Sequence, residues 1–288
     1  MTAALPDSSL QALFEEVIER VLSDELRLPS LPDVALKVRS AVADDNTTCE
    51  FLTEIIAKDP SLTAYLVQAA SSPVYRRAVP PQTLSEVVGL LGFEATSSLV
   101  MLHSTRNMVE LNSAIAKSLF NYTWERLVVK TSVASFLAQR LKYRPVDQVQ
   151  LAMLLTEVGS LSVLSTMLEA SDQPDSDVYF QMCRKYSKRV GIAALMKWGI
   201  DKTITDLVFD CGQWDRTWNE ELDLLDIANL ALYHTVQLTT DNPYLPDISS
   251  LIAMQKIPED LRTCSEPNRL DIIADNDDEI QAIIQSFK

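Results

Sequence analysis

The sequence predicts an all-α protein, and three observations carry that expectation. The chain has 288 residues but only 6 glycines, whereas parallel α/β folds and turn-rich β folds rely on glycine at their tight connections. Apolar residues recur every three to four positions over long stretches, the period of a helix. Capping signals, Ser/Thr followed three residues later by Glu/Gln and one Asp-Pro step, punctuate those stretches.

Ser8 and Gln11 open the first helix, which places Leu10, Leu13, Phe14, Val17, Val21 and Leu22 on one face. Pro32 opens the second, running to about Ala43. Thr47 and Glu50 form a capping box ahead of Phe51, Leu52, Ile55 and Ile56. Asp59 caps a further helix with Pro60 at its first position. Thr83 and Glu86 open a helix that closes at Gly92, where the missing Cβ permits a left-handed backbone. One long helix or two fill 112–141, with Phe120, Trp124, Leu127, Val128, Ala134 and Leu137 as the buried stripe. Residues 146–168 are apolar nearly all round and read as the central helix of a bundle. Shorter helices are expected over 177–188, 191–197, 202–211 and 220–238. The chain thus divides into an N-terminal amphipathic helix (1–27), a main domain (28–238) of two helical subdomains meeting near 111, and a C-terminal helical extension (239–288).

A net charge of −15 repels phosphate backbones, so no nucleic-acid partner is expected. The densest basic stretch, 184–189, reads as a solvated helix face. Cys49, Cys183, Cys211 and Cys264 lack CxxC spacing, and the N-terminus lacks the layout of a signal peptide. Thr156, Glu157 and Ser160 interrupt the longest apolar stretch, which argues against a membrane span. Together these features point to a reducing cytoplasm.

The N-terminal third carries a sequence of short motifs: Leu28, Pro29, Leu31 and Pro32; then Asp59, Pro60 and Leu62; then Ser71, Ser72 and Tyr75; then Leu90, Leu91 and Gly92. In this order and spacing they resemble the HDOD (HD-related output domain) family, although Ser71 stands where that family usually has Asn. Trp124, Gly159, Gly191 and Trp198 extend the resemblance to about residue 238. The resemblance implies an N-terminal bundle packed on a degenerate HD-like bundle and a role in bacterial signal transduction.

HD phosphohydrolases hold metal with several His and Asp side chains. This chain has two histidines, His103 and His234, and neither matches a family position. The resemblance places Arg126, Thr156 and Ser187 at the family's His positions. It places Glu157 at the aspartate and Asn229 where a further acid is often found. Arginine is a donor-only cation and cannot ligate a metal. No catalytic residue, metal or cofactor is therefore expected. A buried carboxylate needs a partner, so an Arg126–Glu157 ion pair is expected to span the old site, with Lys130 as the substitute partner; the alternative has both side chains reaching solvent. His103 and His234 read as satisfied, half-buried residues, and the carboxylates of 210–226 as solvated surface. Met101, Met108, Met153 and Met167 read as core filler.

The leading functional expectation is a regulatory module that binds other signalling proteins. A small-molecule or nucleotide sensor using the residual cavity is the alternative, and a residual phosphohydrolase the third. The segment from Asp241 is a candidate dock, its apolar groups at 251–254 and 282–284 facing either a partner or their own domain.

Overall fold

The computed structural model describes residues 33–71, 75, 81–107, 111, 113–144, 146–170, 175–200, 202–215, 221–239 and 245–286. The helix expected at the N-terminus, the motif residues Leu28, Pro29, Leu31, Pro32 and Ser72, and Met108 lie outside them. The described residues are helical, with no strand among them beyond an isolated bridge between Glu266 and Arg269.

Among the described residues, five helices form the N-terminal part: α1 (Asp33–Val42), α2 (Cys49–Ile56), α3 (Pro60–Ala70), α4 (Leu84–Leu91) and α5 (Phe93–Arg106). Their starts follow local chemistry. Asp59 accepts from the backbone N–H groups of Ser61 and Leu62, and Pro60 takes the first helical position. Thr83 Oγ1 accepts from Glu86 N, and the Glu86 carboxylate returns to Gln82 N at 2.7 Å. Gly92 ends α4 at φ 84°, ψ 164°, a conformation essentially reserved for glycine. One cap differs from expectation. Thr48, not Thr47, caps α2, because Thr47 turns its hydroxyl back to the Ala41 carbonyl.

The second part is built on α6 (Ala114–Arg140), a single uninterrupted helix. The six stripe residues expected on it are all buried. Around it lie α7 (Val146–Leu155), α8 (Val158–Ala170), α9 (Ser176–Lys197), α10 (Lys202–Asp210) and α11 (Leu224–Thr239). Two expectations are corrected here. The apolar run 146–168 is two helices, broken at Thr156–Glu157, where Thr156 directs both its N–H and its hydroxyl to the Met153 carbonyl. Conversely, 177–197 is one helix, because Gly191 sits inside it as a packing residue and not as a boundary.

That packing role is specific. A Cβ on Gly159 would lie 1.7 Å from the Ser187 carbonyl oxygen, and one on Gly191 would lie 3.1 Å from Gly159 N. The two glycines let α8 and α9 approach backbone to backbone. Arg39 of α1 joins the two halves, donating to the Trp198 and Gly199 carbonyls at the end of α9. Buried apolar residues form one continuous core from Ala35 to Ile284.

The C-terminal extension comprises a 3₁₀ turn (Ile248–Ser250), α12 (Ile252–Lys256), a second 3₁₀ turn (Glu259–Leu261), α13 (Asp271–Ala274) and α14 (Asp277–Ser286). It packs on its own domain. Leu251, Ala253, Met254, Ile283 and Ile284 are buried, which removes the apolar groups proposed as a dock. Met101 and Met153 are core residues and Met167 packs against the core.

Candidate functional site

The polar centre of the second bundle begins with helix spacing. Arg126 and Lys130 stand four residues apart on α6 and share one face. Opposite them, the break between α7 and α8 puts Glu157 at the start of α8, where its carbonyl accepts from Leu161 N. Glu157 Oε1 accepts from Arg126 Nη2 at 3.0 Å and from Lys130 Nζ at 2.6 Å. Its Oε2 accepts from Ser160 Oγ at 2.9 Å. The Lys130 side chain is 2% exposed and that of Glu157 5%, while Arg126 is 30% exposed.

Burial alone would raise the Glu157 carboxyl. Lys130 and Arg126 overcome that and pull it down to about 2. In return Glu157 holds the Arg126 guanidinium still more firmly charged. A further layer surrounds the triad. Tyr179 shares a 2.7 Å hydrogen bond with Thr123 Oγ1 and donates to the Ser160 carbonyl. Burial pushes the Cys183 thiol up to about 12 and raises that of Cys211, so both remain thiols at neutral pH. Lys188 donates to the carbonyls of Phe209 and Cys211.

The structure therefore brings Arg126 and Glu157 together, and Lys130 joins as a simultaneous partner, not a substitute. The other aligned positions do not converge on the carboxylate. Thr156 bonds Met153, Ser187 presents its backbone carbonyl to Gly159, and Asn229 accepts from Gly212 N and donates to the Gln213 carbonyl. Ser160 was missed by sequence reasoning, although its three-residue offset from Glu157 was legible; Tyr179 and Cys183 carried no such signal. Trp124 is buried and stacks on Phe120, and Trp198 caps α9.

These donors do not suit a metal. Arg126 and Lys130 only donate, and both Glu157 oxygens already accept. Among the described residues no three His, Cys, Asp or Glu side chains gather in one place.

Three expectations about polar residues are settled by burial. Asp226 is not solvated: it pairs with Lys256 at 2.7 Å, each side chain 1% exposed. His103 is half-buried as expected, with Nε2 within hydrogen-bond distance of Ser61 and Asn107. His234 is fully buried, its Nε2 has no hydrogen-bond partner among the described residues, and burial lowers its pKa to about 4.

The described residues form an all-helical bundle built around one long helix, α6. Residues 28–211 match the HDOD domain, and the chain belongs to that family. No curated protein matches it significantly. Among solved structures it is similar to a candidate metal-dependent phosphohydrolase from Shewanella amazonensis, at 20% identity and TM-score 0.73, covering 98% of this chain and 100% of that one. It is similar to an HDOD domain protein of unknown function from Geobacter sulfurreducens, at 17% identity and TM-score 0.66, covering 98% of each chain. A candidate signal transduction protein from Marinobacter aquaeolei matches at 20% identity and TM-score 0.62, covering 97% of this chain and 66% of that one.

Proposed function

We propose that this chain is a non-catalytic regulatory module of signal transduction that works by binding other proteins. The observation that carries the reading is the Arg126–Glu157–Lys130 triad, which fills the place where the family resemblance would put metal ligands with two cations and an already engaged carboxylate. Function follows the site and not the fold, so likeness to a phosphohydrolase candidate does not bring phosphohydrolase chemistry with it. The signalling assignment is supported by membership of the HDOD family and by the likeness to the Marinobacter protein.

The test has two arms. Purified without chelator or histidine tag, the protein is expected to hold no stoichiometric Fe, Mn or Zn and to hydrolyse no phosphoester supplied with those metals. About one equivalent of metal, lost in Glu157→Gln, overturns the non-catalytic half. Affinity purification from the native host is expected to recover a stable protein partner, and its absence after crosslinking overturns the other half.

A further inference from the structure

The ion triad does not balance. One carboxylate oxygen, Glu157 Oε1, serves both Arg126 and Lys130, so the triad keeps one positive charge in a largely buried place. This local cationic centre lies inside a chain of net charge −15. Hydrogen bonding is incomplete as well. The Lys130 ammonium has three donors, and among the described residues only one is used. Buried charge with unused donors is costly without a counterion.

Access exists on one side. Arg126 is 30% exposed, and it directs one guanidinium nitrogen at Glu157. Tyr122, a helical turn earlier on the same helix, is 39% exposed. We infer that a small tetrahedral oxyanion, free or at the end of a larger molecule, binds at the outer face of this triad. Arg126 supplies the donor fork, and Lys130 the uncompensated charge behind it. The site is independent of whether the module also binds proteins.

The full chain is titrated with inorganic phosphate, sulfate and phenyl phosphate, each at constant ionic strength set by sodium chloride, while the unfolding temperature is followed. A saturable rise with phosphate or sulfate over chloride is expected, as mass action requires of an anion that binds the folded state. A larger rise with phenyl phosphate assigns the natural ligand to the esterified class, and an equal one to the free anion. Arg126→Met keeps the neutral Lys130–Glu157 pair and so folds; its apparent Kd is expected to weaken by about tenfold or more, which is at least about 1.4 kcal/mol. Lys202→Met, which removes an exposed surface cation, is expected to respond like the parent. No saturable rise with any oxyanion overturns the inference, and so does an equal rise in Arg126→Met.

Discussion

At the residue scale, the cost of a buried charge decides what each side chain can tolerate. Glu157→Gln leaves the Lys130 ammonium buried without its carboxylate, and unfolding in urea is expected to show a loss of about 3–5 kcal/mol. Arg126→Met keeps one complete pair and removes a partly solvated cation, at an expected cost of about 1 kcal/mol. Acid resolves two residues by their windows. The Glu157 carboxyl sits below its ordinary 4.5, at about 2. Its contribution is therefore full above pH 4.5 and is lost as pH falls towards 2, about 3 kcal/mol in all. His234 is held neutral by burial, its pKa lowered from 6.5 to about 4, so stability falls earlier, as pH drops from 6.5 to 4. His234→Leu is expected to flatten the unfolding free energy across that upper window and leave the lower one intact. An unchanged upper slope in the variant assigns that proton elsewhere.

At the element scale, three glycines in helices have three different consequences. Gly159→Ala pushes a methyl group into the Ser187 carbonyl, and backbone cannot yield as a side chain can. Its expected cost is about 3 kcal/mol or more, read as a failure to fold or a large drop in Tm. Gly191→Ala meets Gly159 N at 3.1 Å, a contact relieved by a shift of a few tenths of an ångström, and is expected to cost less. Gly89, inside α4, has nothing within 4 Å of a Cβ, so Gly89→Ala is expected to stabilise by about 0.5–1 kcal/mol. Thermal unfolding of the three variants checks the order; equal effects remove the close α8–α9 approach as a cause. None of this ranking is visible in the sequence, where all three glycines sit in apolar surroundings.

At the scale of the whole molecule, the extension completes the core. Ile248, Leu251, Met254, Leu270, Ile273 and Ile280 are buried, and Lys256 neutralises Asp226 inside the fold. Removing residues 245–286 exposes that apolar surface and takes the Lys256 ammonium away from Asp226. The truncated chain is expected to aggregate or lose its cooperative transition, whereas a monomeric, cooperatively melting truncation detaches the extension from the core. Lys256→Met tests the pair alone, with an expected cost of about 3–5 kcal/mol.

The sequence by itself determined the all-helical class, most helix starts and the family. Those depend on local chemistry: a cap, a proline at the first turn, a period of apolar residues. A carboxylate in an apolar run demands a cation, and the family resemblance pointed to Arg126 as that cation, with exposure of both side chains to solvent as the alternative. Only the tertiary structure decided that Lys130 shares that carboxylate, that the apolar run breaks at Thr156–Glu157, and that Asp226 and the extension turn inward. The reason is that period and capping describe one helix at a time. How many cations meet one carboxylate, and which polar residue is buried, depend on helices distant in sequence packing against one another.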